Sequence, residues 1–234
     1  MKRYQQQMVL PEIGEAGQEK LKNAKILIVG AGGLGTVVAT YLAVMGIGKL
    51  SIVDFDEIAE TNLHRQFHYT PNDIGQKKVT VLAQKLRAQN NNIKVNASTE
   101  KITKDNIAIL MENFSIVCDC TDNISARVLL DKHCDAEKIP LVHGAVSDWQ
   151  GYVTLFHYKN KFRYSDLIEV EALLRAQTCQ DNGISSPICG IIGSIMANET
   201  IKIILNTNST LEGKLLYIDG LKNVFKTFNL KKSM

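Results

Sequence analysis

A chain of 234 residues, 45% hydrophobic and 22% charged, has the material for one sizeable α/β domain rather than two independent ones. Its net charge of +3 is too small to argue for a nucleic-acid or membrane surface, and no apolar run reads as reaching the roughly 18–20 residues of a membrane span. Five cysteines, with Cys118 and Cys120 one residue apart in an apolar run, do not form a disulfide framework. The opening MKRYQQQMVLPEIG lacks the pattern of a signal peptide, so the expectation is a reduced, cytoplasmic protein.

In chain order, a first helix is expected from Pro11 to about Asn23, then the short β-branched run KILIVG (25–30) as a buried central strand. GGLGTVVATYLAVMG (32–46) reads as an apolar helix and KLSIVDFD (49–56) as the second strand. A polar segment, 57–75, leads to a helix at about 76–89, a third strand at 93–98 and a short helix at 105–113. SIVCDCTD (115–122) is the fourth strand and its exit, 124–138 a helix, and PLVHGAVS (140–147) the fifth strand. GYVTLFHY (151–158) follows by a tight turn and is therefore antiparallel to the fifth. The segment 159–186 reads as an irregular crossing loop, Pro187 opens a last helix to about Leu205, and 215–220 with 223–230 close the chain as a hairpin. Strands alternating with helices predict a doubly wound, mostly parallel, Rossmann-like sheet with an antiparallel C-terminal extension.

GAGGLG (30–35) lies where a strand passes into a helix, so Gly30, Gly32, Gly33 and Gly35 bring backbone N–H groups and a helix N-terminus to a phosphate. Asp54, ending the next strand, can accept from ribose hydroxyls. The same glycines satisfy G-x-G-x-x-G, so this signal alone does not separate ATP from a dinucleotide. DFDEIAETNLHRQF (54–67), DIGQKKV (73–79) and CTDN (120–123) separate them. They bring Arg65 and Lys78 as cations and Asp122 as a carboxylate toward the glycine turn, which a triphosphate with a metal ion requires and hydride transfer does not.

These segments, with RYQQQMVLPEIGEAGQEKL at the start and GIIGSIMANETIKIIL (190–205) near the end, resemble the ThiF/MoeB/HesA family along almost the whole chain, in order and in spacing. The resemblance implies ATP-dependent adenylation of the C-terminal carboxylate of a ubiquitin-fold sulfur-carrier protein ending in Gly-Gly. It implies a single adenylating domain, with an N-terminal helical arm (1–24), a nucleotide-binding half (25–147) and a carrier-binding half (148–234). It also implies a homodimer, with a cysteine desulfurase as the sulfur source. Carried over by position, Gly33 lies on the nucleotide, Asp54 holds the ribose, and Asn62 and Arg65 lie along the phosphates. Lys78 reaches the α-phosphate, Asp122 holds magnesium and Asn123 lies beside the nucleotide. Cys179, in TCQDNGISSPICG, stands where a family cysteine takes part in covalent transfer; it and the chain's brevity lean the reading toward a thiamine-type (ThiS-like) carrier over a molybdopterin-type (MoaD-like) one.

The chain departs from the family twice. No C-x-x-C pair occurs, so the zinc site of many members is not expected, and Gln6 replaces the arginine of R-Y-x-R-Q that commonly reaches the partner subunit's site. The other cysteines read as packing and the five histidines as non-catalytic. The competing readings are an NAD(P)-dependent oxidoreductase, which leaves Arg65, Lys78 and Asp122 without a role, and a non-catalytic dimeric partner.

Overall fold

A computed structural model describes residues 2–159, 162–167 and 183–230. Eight strands form one sheet in the order β3-β2-β1-β4-β5-β6-β7-β8. They are β1 (Lys25–Val29), β2 (Lys49–Val53), β3 (Lys94–Ser98), β4 (Ile116–Asp119), β5 (Leu141–Ser147), β6 (Gln150–Phe156), β7 (Lys214–Asp219) and β8 (Val224–Asn229). β3, β2, β1, β4 and β5 run parallel, and the last three pair antiparallel. Both the doubly wound parallel part and the antiparallel extension therefore agree with the sequence reading.

The period of two along β1 explains why a run as apolar as KILIV is needed. Ile26 and Ile28 join one core layer and Leu27 and Val29 the other, so the strand is covered on both faces. The described α-helices are α1 (Gln5–Met8), α2 (Gly14–Asn23), α3 (Gly33–Met45), α4 (Lys78–Gln89), α5 (Ile107–Met111), α6 (Ile124–Glu137) and α7 (Ser186–Leu205). α2, α3, α4 and α7 supply the first layer; α5, α6 and residues 162–167 supply the second. After β2 and β3 on one side of β1, the chain returns to β4 on the other. That reversal opens a crevice at the C-terminal ends of β1 and β4, where α/β sheets bind ligands.

Several expectations change. The first helix does not begin at Pro11: α2 starts at Gly14, after a turn in which Leu10 O accepts from Ile13 N and Gly14 N. The polar segment 57–75 holds two 3₁₀ turns, Glu60–Asn62 and Pro71–Asp73, and α5 is shorter than 105–113. One helix, Ser186–Leu205, is after all long and apolar enough to cross a membrane. Its apolarity has another cause here, since it packs against α3, β5 and β6 inside the first core layer.

Candidate active site

Two turns form the walls of a cleft of about 830 Å³ at this switch point. The first is the glycine turn. Gly30 has φ +97°, and a Cβ there would lie 2.6 Å from Cys120 O, on the exit of β4. At Gly35 a Cβ would lie 1.8 Å from Gly30 O. These two glycines thus let the turn close on itself and on β4. Gly30, Gly32 and Gly33 line the cleft, but Gly35 does not. Its expected place on the nucleotide is corrected to a spacer beneath the turn. No side chain caps Gly32, and the first intrahelical bond runs from Thr36 N to Gly32 O, so the leading N–H groups of α3 are left for a ligand.

Asp54 fastens this wall. One carboxylate oxygen accepts from Ala31 N at 2.6 Å and the other from Asp56 N at 2.8 Å. Each oxygen retains a lone pair for a hydroxyl group. Tyr69 donates to Ala31 O at 2.8 Å; burial, then the charges of Asp54 and Asp73, pushes its phenol far above the usual range, so it stays a donor.

The cations meet on the same side. Lys78 is the first residue of α4, only 5% exposed, and its Nζ donates to Asp56 Oδ2 at 2.8 Å. A lysine this buried requires a partner, and the second acid of DFD supplies it. Arg65 is half-buried, with Nη1 donating to Thr61 O at 3.1 Å and 2.8 Å from His64 Nε2. Asn62 Oδ1 accepts from Ala59 N at 3.2 Å and holds its own turn. Buried Gln66 lies under Gly32, and its Oε1 has no hydrogen-bond partner among the described residues. Sequence reasoning missed Asp56, Gln66 and the lining lysines Lys101, Lys104 and Lys132 as site residues. The repeated acid in DFD and the glutamine beside Arg65 were the available signals.

The second wall is the turn after β4. Asp122 is exposed, lines the cleft, and makes no hydrogen bond or ion pair among the described residues. A free hard-oxygen carboxylate beside a phosphate site fits magnesium, which binds through one or two carboxylates plus phosphate oxygens. Among the described residues, no group of three or more His, Cys, Asp or Glu is arranged to hold a metal by itself. Asn123 also lines the cleft, but its Oδ1 accepts from Ala126 N at 2.8 Å, so the side chain is engaged as the N-cap of α6.

Cys189, near the start of α7, is buried in the first core layer as its packing role requires, and it also lines the cleft. It faces the start of α3, where a Cβ on Gly33 would come within 2.8 Å of its Sγ. Burial raises its thiol pKa, against the opposing charge of Arg65, so it is a poor nucleophile. Burial likewise pushes Cys118 up to about 12 and raises Cys120 and Cys134. Cys179 and most of the expected crossing loop 159–186 lie outside the described residues.

Fold and cleft together define a doubly wound α/β domain with a cationic, glycine-walled site at its switch point. The chain belongs to the ThiF family, whose model matches residues 4–234. It is 37% identical over 235 residues to the molybdopterin-synthase adenylyltransferase of Haemophilus influenzae, covering 99% of this chain and 96% of that one. Over 232 residues it is 40% identical to the adenylyltransferase and sulfurtransferase MOCS3 of Caenorhabditis briggsae, covering 98% of this chain but 58% of the relative. The chain thus spans little more than half the length of that longer relative. Among solved structures, the microcin C7 biosynthetic enzyme MccB in complex with N-formylated MccA aligns at a TM-score of 0.85 and 22% identity, covering 99% of this chain and 73% of that one. At that identity the likeness speaks to the fold.

Proposed function

We propose that this chain is an adenylyltransferase that uses ATP to activate the C-terminal carboxylate of a ubiquitin-fold sulfur-carrier protein. The observation that carries this reading is the meeting, in one cleft, of the N-terminus of α3, Arg65, buried Lys78 and the free carboxylate of Asp122. The attacking group is a carboxylate, ionised at neutral pH, so no general base is required. Its obstacle is approaching an anionic phosphate. Arg65, Lys78 and the α3 N–H groups offset that repulsion and meet the charge that grows on the α-phosphate oxygens as pyrophosphate leaves. Asp54 orients the ribose, and Asp122 would hold magnesium, which supplies charge neutralisation on the phosphates when bound. Relatives matching over most of their length are named for molybdopterin synthase and, in Thermus thermophilus, for a sulfur carrier. The first name leans the reading toward a molybdopterin-type carrier, and the second favours neither type. The reading includes a homodimer, for which Val9 (74% exposed) and Leu10 (52%) near Gln6 offer apolar surface, and a cysteine desulfurase as sulfur donor.

The test is pyrophosphate exchange into ATP with Gly-Gly carriers of the two types. Exchange is expected only with a carrier present, and faster with the molybdopterin type. Tight NADH binding without exchange would replace this reading by an oxidoreductase.

A further inference from the structure

We propose that Asp119 and His143 are positioning residues that set the Thr121–Asp122 turn for the metal-bound nucleotide, a role that rests on the functional reading above. The two residues are register partners on neighbouring parallel strands, β4 and β5, so their side chains stand side by side on one face of the sheet. Asp119 is 1% exposed and His143 0%, and neither lines the cleft. Any effect they have on the chemistry must pass through a neighbour.

That neighbour is Thr121. Asp119 Oδ1 accepts from Thr121 N at 3.0 Å and from Thr121 Oγ1 at 2.7 Å. Its other oxygen, Oδ2, lies 2.8 Å from His143 Nδ1, which donates to it. His143 Nε2 lies 3.3 Å from Tyr152 Oη, and the rings of Tyr152, Phe156 and Tyr164 surround the imidazole at centroid distances of 5.3 to 5.9 Å. The ring is therefore held in one orientation, and it holds the carboxylate in turn. On the far side of the turn, Arg127 Nη2 donates to Thr121 O at 2.9 Å. All three polar groups of Thr121 are thus fixed from two different elements, and the next residue is the free carboxylate of Asp122. A histidine serving only to fill an aromatic pocket would have no reason to aim a ring nitrogen at a buried acid. Partners of this outer kind orient metal-binding carboxylates and typically alter metal affinity 10–100-fold when removed.

The experiment measures Mn²⁺ binding by electron paramagnetic resonance, in the presence of a non-hydrolysable ATP analogue, alongside pyrophosphate exchange. Thr121→Val removes the hydroxyl leg from a half-buried position and leaves the core untouched. His143→Leu removes the inner donor, and His143→Asn restores one. Mn²⁺ affinity should fall about tenfold in Thr121→Val and His143→Leu and recover to within about threefold of wild type in His143→Asn. The magnesium needed for half-maximal exchange should rise in parallel. Wild-type Mn²⁺ affinity in Thr121→Val would overturn the proposal, as would a wild type that binds no Mn²⁺ with the nucleotide. If His143→Leu fails to fold, Thr121→Val alone decides. If the Mn²⁺ pattern appears but no carrier supports exchange, the functional reading falls while the positioning role stands.

Discussion

The two walls of the cleft are built by opposite means. The glycine turn closes because side chains are absent at Gly30 and Gly35, which touch backbone that cannot give way, although Asp54 and Tyr69 tie down Ala31 between them. The turn after β4 is shaped by side chains: Asp119, itself held by His143, takes two groups of Thr121, Arg127 takes a third, and Asn123 caps the helix that follows. The first wall offers a fixed phosphate cradle. The second offers a carboxylate whose aim depends on several replaceable hydrogen bonds. Damage should therefore be abrupt on one wall and graded on the other.

Gly35→Ala tests the abrupt side and should have the largest effect. Its Cβ would lie 1.8 Å from a backbone carbonyl, so the loss should reach or exceed the ~1–3 kcal/mol typical of overpacking. Gly32→Ala, whose Cβ would meet only Gln66 Nε2 at 3.5 Å, should melt close to wild type. Equal melting temperatures for the two variants would break the comparison.

Lys78→Ala sharpens it between the walls. The lysine meets transition-state charge, so exchange should fall about 10²–10³-fold, with much less change in ATP affinity. Unchanged turnover would reduce Lys78 to the buried partner of Asp56.

On the graded side, Asn123→Ala should lower unfolding free energy by about 1 kcal/mol through loss of the α6 cap, and Asn123→Ser should restore most of it. Equal losses in both variants would show that the side chain does not act as a cap.

The smallest effect is a difference in acid response. His68, 2.6 Å from Thr40 on α3, has its pKa lowered by burial and then by Lys85. The unfolded chain takes up this proton from about pH 6.5 downward while the folded one does not, so stability falls as pH drops below that value. Asp119 behaves differently. Burial raises its pKa, but His143, Arg127 and Thr121 hold it below the ordinary 3.8, so its contribution persists above that value and is lost only as pH falls through the lower folded value. Denaturant titrations at pH 7 and 5.5 should show a smaller stability loss for His68→Gln than for wild type; equal losses would remove His68 as the sensitive group.

The difference between the walls also explains what was legible in the sequence. A turn made of glycines is written in consecutive letters, and GAGGLG after KILIV could be read directly. The central strands β1 and β4 were legible for a similar reason, since burial on both faces demands unbroken apolar runs. The pairing of Asp119 with His143 joins residues 24 positions apart and exists only once β4 and β5 are neighbours. Asp56 beside Lys78 and Cys189 against Gly33 were hidden likewise. Gly35 was assigned to the nucleotide because its motif records a spacing and not which glycine faces the ligand. The break before Gly14 escaped notice because Pro11 is as suitable in a turn as at a helix start.

The packing of α7 on α3 has a consequence for synthesis. Gly193 lies against Val37, so the helix that opens the phosphate cradle is covered by a segment made roughly 150 residues later, or roughly 8–30 s at ordinary ribosomal rates. During that interval the apolar flank of α3 has no lid. Nascent chains stalled before Ser186 should be cut by protease within residues 33–45, and chains released beyond Leu205 should resist. The earlier-made part of the cradle is then among the last to become secure, and any delay in translating residues 186–205 prolongs its exposure to chaperones and to aggregation.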